Sequence, residues 1–113
     1  MKDLSVIAPL YNEEECVHPL YEAIVRVVEP LHLDHEILFV DDGSRDGTFR
    51  VARELAEKDK RLRVIRFRRN YGQTPAMAAG IDHAQGKILV TMDGDLQHPP
   101  ELLRYRHRFG SPR

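Results

Sequence analysis

The sequence lacks several features that would place the chain in a familiar class. Its single cysteine, Cys16, excludes an intrachain disulfide and favours a reducing compartment. The start of the chain does not resemble a signal peptide, and no apolar run approaches the roughly 20 residues that a membrane helix needs. A net charge of −1 gives no electrostatic basis for binding nucleic acid. We therefore expect a soluble protein of one domain, because 113 residues leave little room for a second.

Two glycine motifs that bind phosphate groups are also missing. The dinucleotide motif Gly-x-Gly-x-x-Gly would follow the first strand, where this chain has residues 9–13, PLYNE. The P-loop sequence Gly-Lys-Ser/Thr is absent as well. A bound diphosphate would therefore be held through a metal ion and a cation such as Arg69.

The histidines show no zinc-binding spacing. We expect them, His35 included, at the surface, and only His98 lies beside an acidic cluster. Cys16 is expected to pack on the first helix rather than to act as a nucleophile.

Strand-like and helix-like segments alternate along the chain. Short apolar runs predict strands, and apolar residues at helical spacing predict helices, the third of which begins with Thr74 as N-cap and Pro75 as its first residue. The predicted strands are 4–8, 37–40, 61–67 and 88–92, and the predicted helices start at 17, 48 and 75. This order predicts an α/β fold, a mostly parallel sheet with helices on both faces, and the arginines of the third strand predict that it is an edge.

Polar segments follow all four predicted strands. They are residues 9–13, 41–44, 68–72 and 93–95. Because ligands bind outside the carboxyl ends of parallel strands, these segments should converge on one rim of the sheet.

The aspartates of that rim predict a metal site. Two carboxylates about 4 Å apart repel by roughly 4 kcal/mol at an effective dielectric near 20, so crowding Asp41, Asp42, Asp93 and Asp95 calls for a cation. Mg²⁺ or Mn²⁺ prefers oxygen ligands, and the amide of Gln97 could supply another. The alternative is that these residues only shape turns and cap helices, since Asp-Gly is a common turn dipeptide.

A calcium loop starting at Asp42 is excluded, because its twelfth residue is Arg53 where such loops require glutamate. We expect instead that Asp42 ends its strand facing a ligand, while Ser44 or Asp46 caps the second helix.

Four motifs, in this order, resemble those of the inverting family-two glycosyltransferases, which have the Rossmann-like GT-A fold. They are PLYNE at 9–13, VDDGS at 40–44, RNYGQ at 69–73 and DGDLQ at 93–97. The similarity is greatest to the branch that acts on polyprenyl phosphates, which includes dolichol-phosphate mannosyltransferases and undecaprenyl-phosphate sugar transferases. It covers residues 4 to about 103.

The resemblance implies a role for each matching position. The positions implied to bind the nucleotide-sugar are Pro9, Tyr11, Glu13, Val40, Asp42, Arg69 and Asp93. Asp93, Asp95 and Gln97 match the residues that carry the divalent metal, Mg²⁺ or Mn²⁺, and the two aspartates are implied to be catalytic. The implied reaction is displacement at the anomeric carbon with inversion, the metal assisting departure of the nucleoside diphosphate.

The resemblance also implies partners and a location. The donor would be a UDP- or GDP-linked sugar and the acceptor a polyprenyl phosphate used for cell-envelope glycans. The enzyme would work in the cytoplasm, at the cytoplasmic face of the membrane.

The carboxyl end departs from the family pattern. We expect residues 1–103 to form the donor-binding domain and residues 104–113 to be a basic tail, disordered or truncated. A sheet ending soon after its fourth strand would expose an edge and favour self-association. We expect little sugar transfer, because in the family the acceptor wall and the residues that orient the sugar come from sequence beyond Leu103. Two alternatives stay open, a non-catalytic module that binds nucleotide-sugars and a metal-dependent phosphohydrolase.

Overall fold

The computed structural model describes residues 2–92 and the backbone of residues 104–107. Strands and helices alternate as the apolar pattern predicts. In chain order they are β1 (Lys2–Leu10), α1 (Val17–Val28), β2 (His35–Asp41), α2 (Thr48–Lys58), β3 (Leu62–Arg66), α3 (Gln73–His83), β4 (Gly86–Thr91) and β5 (Arg104–His107). Single 3₁₀ turns at Glu14–Cys16 and Glu29–Leu31 flank α1. In this part of the chain no helix has the length and apolar character that crossing a membrane requires.

The sheet has the order β3-β2-β1-β4-β5. Strands β1 to β4 are parallel and β5 is antiparallel to β4, so the predicted α/β fold with a mostly parallel sheet is confirmed. The prediction that β3 is an edge strand is also confirmed.

Four residues of the predicted carboxyl-terminal tail form a strand, β5. The backbone of Arg104–His107 pairs with Ile88–Thr91 of β4, within the segment expected to be a disordered tail. The prediction that β4 has an open edge is therefore wrong where these residues pair with it. Helical periodicity and apolar content could not reveal this strand, because a peripheral antiparallel strand is specified by backbone pairing more than by burial.

Side chains alternate between two hydrophobic layers because successive residues of a strand point to opposite faces. Helices α1 and α2 cover the larger layer, which contains Val6, Phe39 and Val90. Helix α3 covers the other, where Ile7, Leu38, Ala84 and Leu89 are buried. Helices on both faces are thus confirmed.

Helix α3 lies close to the sheet because its inner face is made of small residues. Ala76 and Gly80 are buried, and a Cβ on Gly80 would lie 2.4 Å from Cγ2 of Ile7. The helix begins at Gln73, so the prediction of Thr74 as N-cap is wrong. Gly72, at φ 108°, turns the chain into the helix two residues earlier than the proline suggests.

The first strand continues through a proline that was expected to end it. Pro9 lies opposite Val40 of β2, whereas the pairing of β1 with β4 ends at Ile7 opposite Thr91. The missing N–H of Pro9 therefore breaks no pairing with β4. His35, expected at the surface, starts β2 and is only 2% exposed, because the sheet and its helices enclose the whole of this central strand.

Candidate active site

Hydrogen bonds join the loops after β1 and β2 into one rigid rim. Asn12, at φ 50°, donates its N–H to Oγ of Ser44 (2.8 Å) and accepts the N–H of Arg45 at Oδ1 (2.8 Å). Asparagine tolerates this left-handed conformation better than most residues. The N–H of Glu13 donates to Oγ1 of Thr48 (2.9 Å). The rim is therefore fixed by polar contacts between the first two strand ends.

Asp46 anchors the start of α2. Its Oδ1 accepts the N–H of Thr48, the first residue of the helix (2.9 Å), and its Oδ2 accepts that of Glu14 (3.3 Å). Burial acts to raise the pKa of Asp46, but hydrogen bonds from the hydroxyl and the N–H of Thr48 outweigh it and lower the pKa. The N-cap of α2 is Gly47, so neither predicted residue takes that position. Asp46 binds the helix start from the preceding residue, and Ser44 instead accepts the N–H of Asn12.

Asp42 holds the loop that follows β3. Its side chain is almost fully buried, and its carboxylate accepts the N–H of Tyr71 (2.8 Å), the N–H of Gly72 (3.0 Å) and Nδ2 of Asn70 (2.8 Å). The prediction that Asp42 only faces a ligand overlooked these donors. Its negative charge is balanced by three N–H groups, which stabilise a carboxylate without a metal ion.

Asp41 and Asp42 do not crowd together, because adjacent strand residues point to opposite faces. Asp41 is fully buried on the side of α1 and α2, where its Oδ1 accepts the N–H of Ser44 (3.2 Å). Its Oδ2 has no hydrogen-bond partner within the described part of the chain. The repulsion argument for a cation therefore does not hold for this pair.

Gly43 brings the loop after β3 against the end of β2. At φ 73° it lies so close to the peptide joining Arg69 and Asn70 that a Cβ would meet the carbonyl carbon of Arg69 at 2.2 Å. Only glycine fits this contact. Arg69, predicted to lie near a diphosphate, is thereby placed on the same rim as Asp42.

The predicted nucleotide-binding side chains fall into an exposed and a buried group. Tyr11 (41% exposed) and Arg69 lie on the surface of the rim, while the Glu13 carboxylate, partly buried, accepts the N–H of Tyr11 (3.0 Å). Pro9 and Val40 are buried beneath them in β1 and β2. The side chain of Val40 packs under Gly80 of α3, so the helix separates it from solvent.

The predicted metal ligands Asp93, Asp95 and Gln97, and also His98, lie outside the described residues. The chain stays bonded to β1 one residue beyond the end of β4, since the N–H of Met92 donates to the carbonyl of Ile7 (3.0 Å). Within residues 2–92, no group of three or more histidine, cysteine, aspartate or glutamate side chains could hold a metal ion.

Comparison with known proteins decides the family. The profile for glycosyl transferase family 2 matches residues 5–105. The chain belongs to glycosyl transferase family 2. This confirms the resemblance seen in the four motifs and argues against the phosphohydrolase alternative.

Curated relatives of the family-2 chain include sugar transferases. It is 43% identical over 100 residues to the dodecaprenyl-phosphate galacturonate synthase of Rhizobium johnstonii, covering 88% of this chain and 30% of that protein. It is 42% identical over 99 residues to the uncharacterized glycosyltransferase YkcC of Bacillus subtilis, covering 88% and 31%. The chain thus spans about 30% of the length of these relatives.

Solved structures agree with the GT-A assignment of this family-2 chain. The mannosyltransferase PcManGT of Pyrobaculum calidifontis, in complex with GDP-Man and Mn²⁺, superposes with a TM-score of 0.74 at 29% identity, covering 83% of this chain and 28% of that one. TarS of S. aureus in complex with UDP-GlcNAc gives 0.72 at 26% identity, covering 82% and 26%.

Sequence reasoning missed three residues that organise the rim. Asn12, Asn70 and Tyr71 were noted only as parts of motifs, yet the two asparagines make the contacts that tie the loops together. The sequence has one asparagine after β1 and another after β3. Because asparagine side chains often bond to nearby backbone in turns, these two positions could have indicated such contacts.

Proposed function

We propose that this chain is the donor-binding part of a glycosyltransferase that transfers a sugar from a nucleotide-sugar to a polyprenyl phosphate. The observation that carries the proposal is the loop held by Asp42, which brings Arg69 to the rim shared by Tyr11 and the end of β4. The membership in family 2 and the polyprenyl-phosphate relatives support it.

On this proposal, the exposed rim receives the nucleoside diphosphate. The Tyr11 ring offers an apolar face for the nucleoside. Pro9 and Val40 are buried in β1 and β2, so they would contribute by holding the strand ends from which the rim loops start. Glu13, whose carboxylate accepts the N–H of Tyr11, would supply an acceptor near that ring, and Asp42 would act by holding the loop that carries Arg69. Arg69 supplies positive charge for the diphosphate.

The proposed metal ligands are Asp93, Asp95 and Gln97, two carboxylates and an amide, and this oxygen donor set suits Mg²⁺ or Mn²⁺. When bound, the metal would stabilise the negative charge that develops on the departing nucleoside diphosphate. The Mn²⁺ in the PcManGT complex supports a divalent ion.

The acceptor proposal rests on the relatives. Several are named for transfer to polyprenyl phosphates, including undecaprenyl-phosphate 4-deoxy-4-formamido-L-arabinose transferase of Proteus mirabilis, at 40% identity. A lipid phosphate is ionised near neutral pH, so its oxygen could attack the sugar without a strong general base. Such an acceptor would place the reaction at the cytoplasmic face of a membrane.

Calorimetry with UDP and GDP in Mn²⁺ tests the donor proposal. We expect one of them to bind, and we expect the affinity to fall when EDTA removes the metal. An Asp95→Ala variant should lose the metal-dependent part of the affinity while keeping the wild-type melting temperature. Equal affinity with and without EDTA would contradict the metal, and the absence of any binding would contradict the function.

Product formation separates transfer from mere binding. A radiolabelled nucleotide-sugar would be incubated with the chain and a polyprenyl phosphate in detergent, with the unphosphorylated polyprenol as the matched control. Labelled lipid only with the phosphate supports the acceptor. Because we expect little transfer by residues 1–113 alone, a version extended to full family length is assayed beside them, and nucleotide binding without labelled lipid in that version would favour a non-catalytic module.

A further inference from the structure

Arg69 and Tyr71 form an exposed pair on the rim. The guanidinium carbon of Arg69 lies 4.9 Å from the centroid of the Tyr71 ring, which is within the range of a cation–π contact. Phe67 meets the same ring edge-on, with centroids 5.5 Å apart. Tyr71 is 51% exposed, so the pair faces solvent.

The position of this ring is fixed from beneath. The N–H of Tyr71 donates to Oδ1 of Asp42 (2.8 Å), and Gly43 packs against the peptide that joins Arg69 to Asn70. Both contacts connect the loop to the end of β2, the second strand of the sheet. An arginine side chain has many rotamers when it contacts nothing. The held Tyr71 ring therefore restricts the rotamers of Arg69.

Arg69 has no carboxylate partner among residues 2–92. Within residues 2–92, Arg50, Arg61 and Arg63 each pair with a carboxylate, whereas Arg69 has only the ring contact. A cation–π contact uses none of the five N–H donors of a guanidinium in a hydrogen bond to a carboxylate, so they stay available to a ligand. Two of these N–H groups can donate parallel hydrogen bonds to two oxygens of one phosphate group.

We propose that Tyr71 is a positioning residue for the donor: its ring holds Arg69 ready to bind the diphosphate, and Asp42 acts on that site by fixing the ring. The inference rests on the proposed function and adds a residue not predicted to take part. The advantage is preorganisation, because an arginine held before binding loses less rotamer freedom when the diphosphate arrives.

A double-mutant cycle with UDP or GDP in Mn²⁺, whichever binds the wild-type chain, tests this dependence on Arg69. We expect Tyr71→Leu to weaken binding by about three- to tenfold, as loss of a partly exposed cation–π contact and its preorganisation implies. Tyr71→Phe keeps the ring face and should stay within about twofold of wild type. In an Arg69→Gln background, Tyr71→Leu should have no further effect, because non-additivity marks residues that act together.

The chain offers a matched control in Phe49, whose ring lies under the guanidinium of Arg66 at 4.4 Å. Phe49→Leu removes a comparable cation–π contact from α2 and should leave nucleotide affinity unchanged. If Tyr71→Leu fails to fold in a thermal melt, Tyr71→Met preserves apolar bulk against Phe67 and replaces it in the cycle.

Equal losses from the Tyr71 substitution with and without Arg69 would overturn the inference, as would wild-type affinity in Tyr71→Leu. A wild-type chain that binds neither UDP nor GDP would instead overturn the proposed function on which it rests.

Discussion

At the scale of single residues, Asp42 determines the shape of the rim. One buried carboxylate accepts three donors from the loop after β3, so a single side chain links the end of β2 to Tyr71 and Gly72. A residue expected to contact ligand is therefore also part of the framework that places other residues.

Replacing Asp42 with asparagine tests this role. The new NH₂ group would face N–H donors, so we expect a loss of about 1.5–3 kcal/mol in the free energy of unfolding. Amide hydrogen exchange at Tyr71 and Gly72 should become faster. The matched control is Asp46→Asn, which should speed exchange at Glu14 and Thr48 instead. Unchanged exchange at Tyr71 in Asp42→Asn would contradict the framework role.

Because of Tyr21, the stability of the fold is expected to fall at alkaline pH. Its hydroxyl donates to the carboxylate of Asp59, and burial, followed by that hydrogen bond and the charge of Asp59, raises the pKa of Tyr21 from 10.0 to about 12. The raised pKa means that this contribution to stability is full below pH 10 and is lost as the pH rises towards about 12.

Tyr21→Phe should therefore lose less stability than wild type between pH 10 and 12. Urea unfolding followed by circular dichroism at several pH values measures the difference. Asp59→Asn should lie between wild type and Tyr21→Phe, because it removes the charge of Asp59 but leaves Tyr21 buried. The same alkaline loss in both variants as in wild type would show that the pair does not contribute.

At the scale of elements, the close packing of α3 on the sheet depends on the absence of a side chain at Gly80. Helix propensity alone predicts that Gly80→Ala stabilises the chain by about 1 kcal/mol. The contact with Ile7 reverses that expectation, because the new methyl group would collide with Cγ2. We expect a net loss of about 1–3 kcal/mol, the usual cost of overpacking.

Thermal and urea unfolding of Gly80→Ala measure this effect, and the Ile7→Ala background provides the control. Once the Ile7 side chain is shortened, Gly80→Ala should cost less or become stabilising. A stabilised Gly80→Ala in the wild-type background would show that α3 can move away from the sheet freely.

The sequence predicted the elements better than their ends. Apolar periodicity specified the four parallel strands and three helices, because burial on one or both faces leaves a clear pattern. It misplaced the start of α3 and ended β1 at Pro9, because those boundaries depend on Gly72, on Asp42 and on where pairing with β4 stops. Such contacts join residues far apart in the chain and leave no local periodicity.

The candidate site was predictable in place but not in detail. Parallel strand ends indicated one rim, and the structure brings Tyr11, Asp42 and Arg69 to it. The pairing of Arg69 with Tyr71 could not be predicted, because it depends on a loop geometry set by the Gly43 contact. The roles of Asp93, Asp95 and Gln97 stay predictions.

At the scale of the whole molecule, the proposed donor site lies at one end of the sheet. The opposite end is closed by a buried carboxylate, Glu36, which accepts the hydroxyl of Ser5 (2.6 Å), the guanidinium of Arg63 (2.9 Å) and the N–H of Gln85 (2.6 Å). The Glu36 carboxylate thus receives donors from three segments of the chain, and we assign it a structural role. Self-association through a sheet edge stays a prediction, and the arginines of β3 oppose it.

The two ends of the sheet provide the most direct test of the central claim. Titration of the ¹⁵N-labelled chain with UDP or GDP in Mg²⁺, followed by amide chemical shifts, reports where the nucleotide binds. We predict changes at Tyr11, Gly43, Tyr71 and Gly72, and selective broadening of the same signals when Mn²⁺ replaces Mg²⁺. Changes confined to the end that contains Ser5, Glu36 and Gly86 would contradict a donor site at the carboxyl ends of the strands.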